Sequence, residues 1–293
     1  MVKVLVTGGS GRIGSRVVER LSEMFPPEDK VYLLKRKGEI KDIDPCFADR
    51  VCIVESVGNV YDFTFHLAAN THTRYNQDTE WIPRFREDNV DLTRRIVESS
   101  GRVLMVSTDN VFSGSEERDY SEDDEPNPNQ RNTYGVTKAE AEKIVLDGGG
   151  DVIRIQSMLG VKNNLIVDRV IDAIEGRKYW PFWDDVYVRP SYFEDLLKVA
   201  KKVYASGKNR VYHVSANGEP LSRAGIAYKI LDIYKNKGLP ILIEELKTAP
   251  CDNPKFPRRL VLDSRKTQEE LGLDFSSVSE ALENHILYVK GVN

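Results

Sequence analysis

The chain lacks the residues that would point to secretion, metal binding or a polyanionic partner. Its 293 residues include only three cysteines, Cys46, Cys52 and Cys251, with no CxxC pair and no Cys/His cluster. An odd, scattered set excludes a disulfide framework and fits a reducing compartment. Histidine is scarce too, with four residues, and neither His72 nor His213 has partners at ligand spacing, so no metal site is expected. Basic residues are not in excess: 42 Lys and Arg stand against 46 Asp and Glu, giving a net charge of -4. With the cations scattered rather than striped, a nucleic-acid partner is excluded. No apolar run is long enough to span a bilayer, and the sequence opens directly on a strand, Val2–Val6, without an apolar leader. A soluble, cytoplasmic protein without a membrane partner is expected.

What the sequence does contain is alternation. Short apolar runs at Val2–Val6, Val31–Leu34, Val51–Val54, Phe63–Leu67, Val103–Val106 and Asp151–Ile155 are separated by amphipathic stretches such as Ile13–Met24, Asp88–Ser99 and Ala139–Leu146. That pattern predicts an α/β fold, a doubly wound parallel sheet with helices on both faces. The dinucleotide-type core is placed at 1–155, and 156–293 is read mainly as a smaller substrate lobe, with segments near 186–215 returning to the core. Helices are predicted around Ile166–Gly176, Tyr192–Ala205, Ser222–Lys235 and Val278–Tyr288, with a further strand at Val211–Val214. The acidic, proline-bearing stretch Ser113–Asn132 reads as a long loop.

Thr7-Gly8-Gly9-Ser10-Gly11-Arg12-Ile13-Gly14 follows the first strand and opens the first helix, the context a dinucleotide-binding glycine motif requires. Gly8 permits a tight turn, Gly11 lets backbone approach a pyrophosphate, and Gly14 lets helix pack on strand. Ser10, Arg12 and Ile13 then fall on the phosphates at the helix N-terminus. NAD-binding sheets carry an acidic residue about twenty residues further on, at the end of the second strand. Here that strand runs into Lys35-Arg36-Lys37, which repels no 2′-phosphate and has cations to bind one. NADP is therefore expected, with Arg12, Lys35 and Arg36 as phosphate ligands and NAD as the alternative.

Tyr134 and Lys138, in Tyr134-Gly135-Val136-Thr137-Lys138, lie one turn apart on one helical face. Ser107-Thr108-Asp109 precedes them at the end of a strand. Together with the glycine turn, these residues resemble an extended short-chain dehydrogenase/reductase. The opening resembles that family's TGxxGxxG, His66-Leu67-Ala68-Ala69 the end of its fourth strand, Asn89-Val90 its helix-four asparagine region, and Tyr134 to Lys138 its catalytic helix. Within the family, Ser107-Thr108-Asp109-Asn110-Val111-Phe112-Ser113-Gly114 is similar to the S-T-D-Y-V-F-x-G of dTDP-4-dehydrorhamnose reductases. Arg189-Pro190-Ser191-Tyr192-Phe193-Glu194-Asp195-Leu196 and Leu262-Asp263-Ser264-Arg265-Lys266 match later segments of those reductases. The pattern is departed from in two places: Asn110 stands for the tyrosine of S-T-D-Y, and the segment Asn70-Thr71-His72-Thr73-Arg74 lacks the T-x-V-D of those reductases.

The resemblance implies a ketone reduction on a nucleotide-linked 4-keto sugar, with Tyr134 as acid, Lys138 as its tuner and Thr108 orienting the substrate oxygen. Lowering a tyrosine pKa from about 10 by about three units takes ~4 kcal/mol, within reach of nearby cations in a desolvated site. Leu67, Ala68 and Ala69 would join the cofactor site, and Thr71, Asp109, Asn110 and Arg189 the sugar site. Dehydratases of the family place Asp-Glu where this chain has Asp109-Asn110, so the second carboxylate they need is missing. A 4-epimerase with tightly held NAD, and a non-catalytic cofactor-binding regulatory subunit, remain as alternatives. Tyr179-Trp180-Pro181-Phe182-Trp183 offers either a base-stacking surface or an aromatic cap, and Arg258 and Arg259 join Arg189 as possible diphosphate clamps. His66 is expected to pack against the sheet. Family members often pair through the tyrosine-bearing helix, which implies a homodimer.

Overall fold

A computed structural model describes residues 1–36, 38–58, 60–71, 82–178, 181–243, 245–253 and 256–291. The first half runs β1 (Lys3–Thr7), α1 (Arg12–Val18), α2 (Leu21–Met24), β2 (Lys30–Leu34), β3 (Val51–Val54), β4 (Phe63–His66), α3 (Ile82–Arg86), α4 (Leu92–Glu98), β5 (Val103–Thr108), α5 (Thr133–Asp147) and β6 (Asp151–Ile155). The second half adds α6 (Leu165–Ile174), β7 (Phe182–Trp183), β8 (Tyr187–Val188), α7 (Phe193–Ser206), β9 (Val211–Val214), β10 (Leu221–Ser222), α8 (Arg223–Asn236), β11 (Thr248–Ala249), α9 (Arg265–Leu271) and α10 (Val278–Lys290).

Seven parallel strands in the order β3-β2-β1-β4-β5-β6-β9 form the central sheet. Side chains alternate across it. Val4 and Val6 pack on one face with α1, α2 and α7, while Leu5 joins α4 and α5 on the other. Away from the β3 edge, where Ile53 is exposed, both faces are buried, which is why the strands read as apolar runs. A separate cluster from α6, α8 and α10 fills the C-terminal lobe. Strand order reverses between β1 and β4, and a crevice opens beyond the carboxyl ends of strands at such a point.

The expected helix Ile13–Met24 is broken. Arg20 leaves helical backbone at φ -136, and its guanidinium pairs with Glu23 and with Glu194 on α7. The helix expected at Asp88–Ser99 starts earlier, at Ile82, and passes through a π-helical turn, Glu87–Asp91, between α3 and α4. Such turns are rare and frequent at functional sites. The Gly148–Gly150 run ends α5 as expected, with Gly148 at its C-cap. Among the described residues, no helix is long and apolar enough to cross a membrane.

Candidate active site

The turn after β1 is built by glycine. Gly8 has φ +72, and a Cβ there would come within 2.7 Å of the Ala68 nitrogen; a Cβ on Gly14 would lie 1.9 Å from the Gly8 carbonyl oxygen. Gly11 donates its N–H to that same oxygen at 2.8 Å. Gly14 therefore closes helix on turn, with Ile13 partly buried against the core beside it. A cavity of about 430 Å³ opens over this turn. It is bounded by Gly8, Ser10 and Gly11, by Arg36 beyond β2, and by Leu67, Ala68 and Ala69 beyond β4. Thr71, expected near the sugar, lines this cavity too. Open backbone below and a cation at the rim suit a dinucleotide phosphate chain. Arg12 donates to the Asn163 carbonyl at 2.9 Å. Lys35 is exposed, and Lys37 and His72 lie outside the described residues.

A chain of buried hydrogen bonds joins the glycine turn to α5. Thr7 Oγ1 accepts the N–H groups of Leu67 at 3.2 Å and Ala68 at 3.1 Å, so its own proton goes to His66 Nδ1, 2.7 Å away. His66 then carries its proton on Nε2, facing Thr93 Oγ1 at 3.0 Å, and Thr93 donates to the Asn89 carbonyl at 2.6 Å. Asn89, in the π-helical turn, donates to Thr137 Oγ1 on α5 at 3.0 Å and accepts the Asn70 N–H at 2.7 Å. Burial and the nearby Lys138 charge hold His66 neutral, lowering its pKa to about 3. The contacts at Thr7, Thr93 and Thr137 have no sequence signature, because each threonine is unremarkable until the fold assembles them.

At the end of β5 the catalytic-type residues meet. Lys138 is buried, and its Nζ donates to the Val106 carbonyl at 2.9 Å. Burial brings its pKa down to about 8, against the raising effect of Glu142 one turn along α5. Tyr134 is pushed up by burial, and the Thr108 hydroxyl, as its hydrogen-bonding neighbour, and the Arg12 charge pull the other way. Lys138 is not among the groups that act most strongly on it. Thr108 Oγ1 donates to Asp109 Oδ1 at 2.9 Å and accepts the Asn110 N–H at 3.2 Å. Its one proton is thus held by Asp109, and Asn110 Nδ2, also 3.2 Å away, takes its second lone pair.

Asp109 and Asn110 are bound into the scaffold. Asn110 Nδ2 donates to Asp109 Oδ1 at 2.8 Å, and its Oδ1 accepts from Asn132 Nδ2 at 2.8 Å, where Asn132 caps α5. Gln156, which sequence reading missed, donates from Nε2 to Asp109 Oδ2 at 2.8 Å and to the Leu260 carbonyl, while its Oε1 accepts the Arg189 N–H at 2.8 Å. Burial raises the Asp109 pKa against these donors. Arg189 and Arg259 share the carboxylate of Asp119, at 2.6 and 2.5 Å, and Arg258 pairs with Asp185 at 3.0 Å. Tyr179 and Trp180 lie outside the described residues. Trp183 packs edge-on against Phe256 with ring centres 5.0 Å apart, and Arg223 sits 4.6 Å above the Trp183 ring.

With this geometry in place, comparison with known proteins is direct. The chain belongs to the RmlD substrate binding domain family, whose model it matches over residues 2–290. It is 24% identical over 315 aligned positions to a dTDP-4-dehydrorhamnose reductase of Aggregatibacter actinomycetemcomitans, covering 99% of this chain and 100% of that one. Its fold matches the crystal structure of a dTDP-4-dehydrorhamnose reductase from Bacillus anthracis in complex with NADP, with TM-score 0.73, 21% identity, and 98% and 99% of the two chains covered. It also matches a dTDP-glucose 4,6-dehydratase from Streptomyces venezuelae with NAD bound, with TM-score 0.77, 23% identity, and 99% and 97% covered. The expected extended short-chain dehydrogenase/reductase architecture holds. Reductase and dehydratase share it, so the choice of chemistry rests on particular side chains.

Proposed function

We propose that this chain is an NADPH-dependent reductase of a nucleotide-linked 4-keto sugar, working in the cytoplasm. The observation that carries the reading is the meeting of Thr108, Tyr134 and buried Lys138 at the end of β5, with Asn110 where a dehydratase has a second carboxylate. When bound, the nicotinamide supplies the hydride that goes to the carbonyl carbon. Tyr134 gives the proton to the carbonyl oxygen. While Asp109 is ionised, its carboxylate holds the Thr108 proton. Protonation of Asp109, which burial favours, frees the Thr108 proton for the developing alkoxide. Lys138 supplies positive charge behind the tyrosine and is held in line by Val106.

In this reading Gly8, Ser10, Gly11, Ile13, Gly14, Leu67, Ala68 and Ala69 hold the dinucleotide, and Lys35 and Arg36 take the 2′-phosphate. Residues 1–155 and the returning 186–215 serve the cofactor, and the remainder of 156–293 takes the sugar nucleotide together with Asp109, Asn110 and Arg189. Pairing of two copies through α5 belongs to the same reading, and light scattering tests it.

The test is loss of NADPH absorbance with a panel of nucleotide 4-keto sugars. Tyr134→Phe should lower kcat by roughly 10²–10⁴-fold and leave NADPH affinity nearly unchanged. A fully active variant would remove Tyr134 as the acid. Near-stoichiometric oxidised cofactor released on denaturation, with no NADPH consumed, would replace the reductase with an epimerase. No turnover with cofactor binding retained would replace it with a regulatory subunit.

A further inference from the structure

Arg36 is engaged by a carboxylate that does not come from the end of β2. Its Nη2 lies 3.0 Å from Asp88 Oδ1 and 4.0 Å from Glu87 Oε1, both in the π-helical turn between α3 and α4. Asp88 is the sheltered one of the two, with its side chain 13% exposed against 64% for Glu87. Its second oxygen accepts from Asn70 Nδ2 at 3.2 Å, so the carboxylate is fixed rather than waving in solvent. Arg36 and Asp88 line the same cavity as Gly8, Ser10 and Gly11.

We propose that Asp88 is a specificity-determining residue for the cofactor, competing with the 2′-phosphate for Arg36 and so restraining the preference for NADPH over NADH. The inference rests on the reading of Arg36 as a 2′-phosphate ligand. A guanidinium binds carboxylate and phosphate through the same planar fork, and an edge given to one is withheld from the other. The carboxylate also repels a phosphate dianion arriving at that rim. NADH brings no 2′-phosphate, so its binding leaves the Arg36–Asp88 pair in place. Sequence rules look for an acidic residue after the second strand; here the acid reaches the same arginine from a helix. Asp88 sits in the π-helical turn Glu87–Asp91, a feature frequent at functional sites.

The experiment titrates the full-length protein with NADPH, NADH, 2′,5′-ADP and 5′-AMP, in wild type, Asp88→Asn, Glu87→Gln and Arg36→Ala. Asparagine keeps an oxygen for Asn70 but gives up the charge. Asp88→Asn is expected to tighten NADPH and 2′,5′-ADP about tenfold and to leave NADH and 5′-AMP within about twofold. Glu87→Gln, further away and exposed, should change little. Weaker NADPH binding in Asp88→Asn, or equal shifts for both dinucleotides, would overturn the competition. Arg36→Ala keeps the two ideas apart. If it weakens NADPH alone while Asp88→Asn does not strengthen it, the competition fails and the NADP assignment stands. If it weakens NADPH and NADH equally, the NADP assignment itself falls. Should Asp88→Asn not fold, Asp88→Ser makes the same charge change and carries the same expectations.

Discussion

A Cβ atom on Gly135 would lie 2.2 Å from the carbonyl oxygen of Asn110. The helix that carries Tyr134 therefore rests directly on the backbone leaving β5, with nothing between them. That close approach sets Tyr134 beside Thr108, and it depends on one missing side chain.

Gly135→Ala tests this approach. Alanine suits a helix interior better than glycine by about 1 kcal/mol, so propensity alone predicts a gain. The obstacle is backbone, which cannot swing aside as a side-chain tip can, and the overpacking cost is about 1–3 kcal/mol or more. The variant should melt several degrees lower, and kcat should fall further than NADPH affinity. A melting temperature at or above wild type would show that the contact does not constrain α5.

Lys138→Met should stabilise the fold while removing activity. The lysine is buried with its pKa lowered from 10.5 to about 8, so its charge is held at a cost below that value. Between these two pH values the unfolded chain binds a proton that the folded one does not, and stability rises with pH. In the variant this slope should be absent, and stability at pH 7 should be higher by roughly 1–3 kcal/mol. Denaturant titrations of both proteins at pH 7, 9 and 10 measure the difference. A less stable Met variant at pH 7 would mean that the Val106 contact outweighs desolvation.

The contrast between Gly14 and Gln156 shows what could be read without coordinates. Gly14 was legible because its task is local: the turn it closes is written in the residues on either side. The strands Asp151–Ile155 and Val211–Val214 fall where the apolar runs place them, for burial on both faces leaves no alternation to misread, and the edge strand Val51–Val54 does so although its Ile53 is exposed. Gln156 has no such neighbours in sequence; its partners Asp109, Leu260 and Arg189 come from three distant segments. Asp88 and Arg36 meet in the same way across two elements. The break at Arg20 was hidden for a related reason, because the partner it takes on α7, Glu194, is far along the chain. Motifs record local geometry, and the polar partners that orient them are set by tertiary packing.

Asn110→Asp places a second carboxylate against buried Asp109. The Asn110 amide now donates to Asp109 at 2.8 Å and to Thr108 at 3.2 Å; an ionised oxygen in its place meets Asp109 as a like charge. Each carboxyl would then be raised above its unfolded value, as Asp109 already is through burial. Stability from such a group is present below the unfolded pKa and lost as pH rises. The variant should be about 2–4 kcal/mol less stable at pH 7 and approach wild type towards pH 4. A deficit independent of pH would point to lost hydrogen bonds without charge repulsion.

His285→Asn probes the seam between the lobe and the sheet. His285, buried on α10, accepts the Gly160 N–H on Nδ1 at 2.9 Å, and burial lowers its pKa from 6.5 to about 4. The folded state thus holds it neutral where the unfolded chain takes up a proton. Its contribution is fully present above pH 6.5 and is lost as pH falls towards about 4. Asparagine keeps an acceptor for Gly160 but cannot titrate. At pH 7 the variant should be the less stable protein, through lost packing. Between pH 7 and 5 the gap should close by about 2 kcal/mol, because wild type alone loses stability to this site. Urea denaturation at the two pH values decides it. A gap that stays constant would mean that His285 is protonated without penalty and that the seam is wetter than its burial indicates.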